Sequence, residues 1–447
     1  MDAFGKPHFV PVRTGEDPYR LYRRLSHNHS HSFLFESLTG PNEMAETSVM
    51  GFGPSTIVRG YEDHVRVITP EGARTIPAED PLGTLRDMMK TTTYDTHRYV
   101  GGAVGKVNYD AVRLTEHIPR SHYVPEPLFE FGLYDDGILV DPRTGDKHYF
   151  WYDTDRSHLL DADEPGPDPF HSTEPTSEMD EERFAAMVER AKEYIYDGDI
   201  FQAVLSRRFS FKVSGDPTVL YSRLRRMNPS PYMFHLKQGP RTAIGASPEM
   251  LVRITGSLAE TFPIAGTRRV TDSAQETQRL AEEMTHDEKE RAEHTMLVDL
   301  GRNDIGRVCR YGTVYPHSLM EVKKFSHVQH MVTHVAGDLD PKHDMFDAFR
   351  AVFPAGTVSG APKVRAMEII DELEPSSRGP YAGAVGYFSY NGCCDFAIAI
   401  RSIFIDGDRG FVQSGAGIVY DSTPSREFTE TEEKAGAMLQ AVRGTEE

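Results

Sequence analysis

The chain has 447 residues, 38% hydrophobic and 26% charged, with a net charge of -19. This composition excludes a disordered polymer, and the length exceeds what one hydrophobic core usually serves, so two domains or a strongly lobed unit is expected. The negative balance excludes the basic footprint that nucleic acid or an anionic membrane requires, and an acidic, salt-adapted surface accounts for it.

In chain order, MDAFGKPHFVPVRTG lacks an apolar run behind a basic segment, so no secretory leader is expected. No window approaches the ~18 uninterrupted apolar residues of a membrane helix. Short β-like runs follow, SFLFESL, RYVGGAVGKVNYDAV and GILVDP, with turn signals between them. Residues 161–180 are acidic, Pro-rich and almost free of aliphatic side chains, which marks a linker between residues 1–160 and 181–447. Phe184, Met187, Val188, Ala191 and Ile195 then recur at the helical period.

A strand is expected in IFQAVLSRRFSF. It places Phe201, Ala203, Leu205, Phe209 and Phe211 on one face and Gln202, Val204, Ser206 and Arg208 on the other. GAVGYFSYNGCCDFAIAIRSIFI reads as a hairpin with Asn391-Gly392 in a type I′ turn. The last element is a helix that Ser422 or Thr423 can cap, with Pro424 in its first turn and Phe428, Ala435, Met438 and Val442 on its buried side. Hairpins beside separate helices point to an α+β fold. The three cysteines, Cys309, Cys393 and Cys394, give neither a disulfide framework nor a zinc spacing, so a reducing, cytoplasmic setting is expected.

Two helical segments carry carboxylates three residues apart: Glu290 and Glu293, then Glu427 and Glu430. Each pair shares one helical face. Such a pair is ordinarily solvated surface; two facing pairs would offer hard oxygen ligands to Mg²⁺, which keeps places for water and an anionic substrate. His327, His330 and His334 step by three and four, which on a helix would make a metal-binding face. Val322, Val328, Val332, Thr333 and Val335 favour a strand there, on which His327 points away from the other two.

GDIFQAVLSRRF, NPSPYMFHL, AIGASPEMLV, ETFPIAGTRR, DEKERAEHTMLVDLGRND, FSHVQHMVTHV, FPAGTVSGAPKVRAMEIIDELEP, GPYAGAVGYFSYNG, FAIAIRSIF, VQSGAGIVYDSTP and EFTETEEKA follow one another within residues 184–443. In content and order they resemble the chorismate-utilising enzyme family. SFLFESL resembles that family's first domain more loosely. The resemblance implies an α+β core of large antiparallel sheets flanked by helices, with an N-terminal regulatory domain packed against it. It implies Mg²⁺, held by Glu293 and Glu430, with Glu290 and Glu427 as companions holding metal-bound water. Glu249 matches the general acid that protonates the leaving C4 hydroxyl, and His330 the histidine of the elimination step. Thr357, Tyr387, Arg401, Gly415, Ala416, Gly417 and Lys434 match substrate-binding positions.

Branches of the family differ in their nucleophile. The isochorismate and salicylate enzymes place a lysine where this chain has Gln202, and the aminodeoxychorismate enzymes read PIKGT where this chain reads PIAGT, with Ala265. An amide is a poor base and a methyl group is no nucleophile, so the resemblance implies external ammonia adding at C2. That is the anthranilate-forming branch, a lyase at the first step of tryptophan biosynthesis. The alternatives are the aminodeoxychorismate-forming branch that serves folate, and a non-catalytic amino-acid-sensing subunit that kept the fold.

RVCRY and NGCCD are not G-x-C-x-G nucleophile elbows, so a separate glutamine amidotransferase subunit is implied as the ammonia source, in a heteromeric complex. SFLFESL and NPSPYMF resemble the elements that bind feedback tryptophan, through Glu36, Ser37, Pro231, Tyr232 and Met233. Phe35 stands where the family pattern has a second leucine. The plainer reading is a strand and a Pro-rich turn that pack the two halves together.

Overall fold

A computed structural model describes residues 3–39, 48–124, 127–161, 163, 165–166, 168–325 and 328–444. Among these residues the strands form two large sheets, of thirteen and twelve strands, in which every pairing between neighbours is antiparallel. Helices flank the sheets, so the expected α+β architecture is present. The largest core is rich in aromatic side chains, including Phe33, Phe129, Phe131, Phe388 and Phe396, all buried.

Both sheets take strands from either side of residues 161–180. His31–Glu36 pairs with Tyr232–Gln238 in the larger sheet, and Gly102–Val107 pairs with Ala384–Ser389 in the smaller. The stretch expected to be a bare linker adds two short strands, His171–Ser172 and Thr176–Ser177, to the edge of Gln202–Ser214. Its last residue, Asp180, caps the helix Glu181–Tyr196 by accepting from Arg183 N–H. That helix buries Phe184, Met187, Val188 and Ala191, the stripe its sequence period sets out.

Three local expectations need correction. Phe201 is 72% exposed and precedes the strand, which begins at Gln202 and pairs there with Ala361. The hairpin turn is not type I′, since only Gly392 has a positive φ (82°) and Asn391 does not. Ser389 N–H closes the turn on Cys393 O over three intervening residues. The helix Pro424–Arg443 starts at Thr423 without a side-chain cap, and Ser422 Oγ accepts from Val419 N–H instead.

Two of the places where the chain passes between the sheets are neighbours. Arg241–Ser247 belongs to the larger sheet and Met250–Thr255 to the smaller, so Glu249 lies at one crossing. Cys394–Ile398 belongs to the smaller and Ser402–Asp406 to the larger, so Arg401 lies at the other, with φ of 51°. Ile398 N–H donates to Glu249 O at 3.0 Å, and Ala246 N–H to Arg401 O at 3.1 Å, which ties the crossings together.

Candidate active site

Carboxylates from two helices converge beside these crossings. Asp287 caps the helix Glu288–Gly306 by accepting from Lys289 and Glu290 N–H, which sets Glu290 and Glu293 in its first two turns. The helix Pro424–Arg443 carries Glu427, Glu430 and Lys434. Burial raises the Glu293 carboxyl above its ordinary range, and the nearby Glu290 and Glu430 charges raise it further, while Lys434 and Gln202 oppose them. Gln202 Nε2 donates to Glu293 Oε1 at 3.4 Å. Burial, reinforced by Glu430, likewise raises Glu427. Glu290 is engaged differently from the expectation, because Arg268 Nη1 donates to its Oε1 at 3.0 Å.

Lys434 binds this cluster to the glycine-rich strand. Its Nζ lies 2.7 Å from Glu430 Oε1 and donates to Gly415 O at 3.1 Å, while Arg401 Nη1 donates to Lys434 O at 3.2 Å. Gly415, Ala416 and Gly417 pair with Ser206, Leu205 and Val204. A Cβ at Gly417 would meet Gln202 Nε2 at 2.5 Å, so the missing side chain makes room for the amide. Gln202 Oε1 is buried without a hydrogen-bonding partner among the described residues.

Glu249 is buried, and desolvation pushes its carboxyl up to about 7, with Thr357 and Lys434 pulling the other way. A protonated carboxyl is thereby held near neutrality. Desolvation pushes the His330 imidazole down to about 4, and the charges of Arg401 and Lys434 press in the same direction. His330 Nδ1 lies 2.9 Å from Gly266 O and 3.1 Å from Thr267 Oγ1. A carbonyl only accepts, so Nδ1 carries the proton and Nε2 keeps its lone pair.

Residues 328–338 form a strand, so the helical histidine face is not made. His334 pairs with Glu260 at 2.9 Å and stacks on Phe262, apart from the partners of His330. His327 lies outside the described residues.

Tyr387 does not join the group. It lines a second cavity with Glu36, Ser37, Arg98, Pro231, Tyr232, Met233, Arg253 and Asp395. The tyrosine at the first site is Tyr381, whose hydroxyl would lie 2.9 Å from a Cβ on Gly415 and which acts electrostatically on Arg401. The second cavity collects all five residues expected to hold tryptophan. Tyr232 Oη donates to Asp395 Oδ1 at 3.0 Å, Arg253 Nε to Asp395 Oδ2 at 3.0 Å, and Ser37 Oγ to Pro231 O at 2.7 Å. The Glu36 carboxylate is already engaged, by Tyr221 Oη at 2.5 Å and by Arg225 Nε and Nη2 at 3.0 Å each.

Among the described residues no three His, Cys, Asp or Glu side chains stand close enough to hold a metal by themselves. Mg²⁺ needs few protein ligands and completes its shell with water and substrate oxygens. Crowded carboxylates, two of them raised by burial and further by like charge, fit a divalent cation in that role. No described helix is long and apolar enough to cross a membrane.

Two antiparallel sheets joined at crossings that carry an acid, a guanidinium and a glycine-rich strand define the class. The family model described as chorismate binding enzyme matches residues 30–440, and the chain belongs to that family. It is 44% identical to anthranilate synthase component 1 of Methanothermobacter thermautotrophicus over 96% of this chain and 92% of the relative. It is 38% identical to aminodeoxychorismate synthase component 1 of Bacillus subtilis, over 95% and 94% of the two chains. The crystal structure of anthranilate synthase component I from Streptococcus pneumoniae superposes with a TM-score of 0.78 at 37% identity, covering 88% of this chain and 92% of that one.

Proposed function

We propose that the chain is the large subunit of an anthranilate synthase, a lyase that converts chorismate and ammonia to anthranilate and pyruvate. The observation that carries this is a site with a protonated-range Glu249, a neutral His330 and paired carboxylates, but an amide at 202 and a methyl at 265 where an amine would serve other chemistry.

Arg401, Tyr381, Lys434 and the Gly415–Gly417 backbone hold the carboxylates and enolpyruvyl group of the substrate. Glu293 and Glu430 would hold Mg²⁺, with Glu290 and Glu427 beside them; when bound, the ion neutralises the repulsion between these carboxylates and the ring carboxylate. The buried Gln202 Oε1 accepts from ammonia and aims its lone pair. As the nitrogen bonds to C2, the ring double bonds shift toward C4 and the C4–O bond breaks. Glu249 gives its proton to the departing hydroxyl, which leaves as water. The new ammonium group loses a proton, giving aminodeoxyisochorismate. His330 Nε2 then takes the proton from C2, the C3–O bond breaks, and the enolate of pyruvate leaves as the ring becomes aromatic, to be protonated by the imidazolium just formed. A donated Nδ1–H fixes the tautomer this step needs.

The second cavity is the proposed tryptophan site, with residues 1–160 as the sensing domain, and a glutamine amidotransferase is the proposed ammonia source. The Bacillus relative favours one alternative, aminodeoxychorismate formation. Purified chain with chorismate, Mg²⁺ and ammonium salt separates the two. Blue anthranilate fluorescence without a second lyase supports the proposal, and a stable aminodeoxychorismate product refutes it.

A further inference from the structure

We propose that His294 and Thr333 form a clamp that positions the carboxylate-bearing helix against the strand carrying His330, and so keeps the second reaction step in register with the first. His294 follows Glu293 on the helix Glu288–Gly306 and is fully buried. Its Nε2 lies 2.7 Å from Thr333 Oγ1. Thr333 is also fully buried, three residues beyond His330 on the strand Val328–Asp338.

The same oxygen accepts from Met320 N–H at 3.0 Å, where the neighbouring strand Tyr315–Lys324 is irregular and Met320 has φ of 54°. Thr333 N–H donates to Pro263 O at 3.1 Å, just ahead of the strand Ile264–Arg269 whose Gly266 fixes His330. One hydroxyl thus meets a metal-side helix and an irregular strand, on the strand that bears the proposed base.

Strand alternation puts Gln329, Met331 and Thr333 on the face opposite His330. His294 therefore does not touch the reacting atoms, and its effect passes through the backbone of one short strand. The pair is a positioning device, because a shift of about an ångström at a reacting group can cost up to about a hundredfold in rate. A purely structural pair would set stability and leave the division between the two steps alone.

The inference rests on the two-step reading above, so wild-type enzyme forming anthranilate is the control, and its failure would count against that reading rather than this one. Thr333→Val, Thr333→Ser and the double variant His294→Leu/Thr333→Val would be assayed with chorismate, Mg²⁺ and ammonium. Anthranilate, released aminodeoxyisochorismate and Tm would all be measured. Thr333→Val should lower kcat for anthranilate about tenfold or more, change KM for chorismate by less than about threefold, and raise the share of released intermediate. Thr333→Ser keeps the hydroxyl and should keep wild-type partition. The double variant leaves no unpaired side-chain group at the contact and strands only Met320 N–H, so it should recover most of the lost Tm but not kcat. Wild-type partition in Thr333→Val, or recovery of kcat along with Tm in the double variant, would overturn the proposal.

Discussion

The Nδ1 of His330 lies 2.9 Å from the carbonyl oxygen of Gly266. That contact assigns the imidazole proton to Nδ1 and leaves the lone pair on Nε2, the atom proposed as the base. Gly266 has φ of 67°, and a Cβ there would meet Met284 Sδ at 3.0 Å and Glu290 Oε2 at 3.1 Å. The irregular stretch of the strand Ile264–Arg269 that presents the carbonyl therefore needs glycine. Replacing His330 with Gln should lower anthranilate formation by about a hundredfold or more, with aminodeoxyisochorismate released instead. Loss of both products together would place His330 in the first step.

In the proposed mechanism Glu249 sets the alkaline side of the pH profile. Its carboxyl is pushed up to about 7 by burial, and the proposed acid role requires the proton. With free ammonia held constant, kcat/KM for chorismate should fall as pH rises through about 7. Below that, His330 stays neutral until about 4, so no acid limb from it is expected near neutrality. Glu249→Gln should remove most activity. A flat profile in the wild type would contradict the assignment.

The same shift bears on stability. Folded Glu249 binds its proton more tightly than the unfolded chain, whose value is 4.5. Its contribution is present below the unfolded pKa and is lost as pH rises through the folded one. Thermal unfolding of Glu249→Gln should match wild type at about pH 5 and lie a few degrees higher at about pH 8. No difference between the two pH values would mean that Glu249 is not held protonated by burial.

Chelation should abolish activity, and added Mg²⁺ should restore it. Glu293→Gln and Glu430→Gln should each raise the Mg²⁺ concentration for half-maximal rate by about tenfold or more. Glu290→Gln should have a smaller effect, because Arg268 already holds that carboxylate. Equal metal dependence in all three variants would contradict the ligand assignment.

In the second cavity, Asp395 is fixed by both Tyr232 and Arg253. Asp395→Asn should weaken tryptophan binding by about tenfold, read by calorimetry. Tryptophan affinity unchanged in this variant would move the ligand elsewhere.

Much of the site was legible because it is local. The Glu290/Glu293 and Glu427/Glu430 steps need only a helix, and the β-branched run around His330 needs only a strand. What the residues alone could not show is non-local. Tyr381 and Tyr387 stand six apart in GPYAGAVGYFSY; strand Ala384–Ser389 begins between them, so one stays at the sheet crossing and the other is carried to the second cavity. The contact of His294 with Thr333 joins residues 39 apart, and no periodicity encodes it. Arg268 taking Glu290 is likewise a contact between separate elements. The dipeptide Asn391-Gly392 suits a type I′ turn, yet the register of Ser389 with Cys393 leaves three residues in the loop.

The most direct test is to supply ¹⁵N-labelled ammonium to the purified chain with chorismate and Mg²⁺ and to identify the product by mass spectrometry. The account expects anthranilate carrying one labelled nitrogen, together with pyruvate. Unlabelled isochorismate, or labelled aminodeoxychorismate with the enolpyruvyl group still attached, would contradict it.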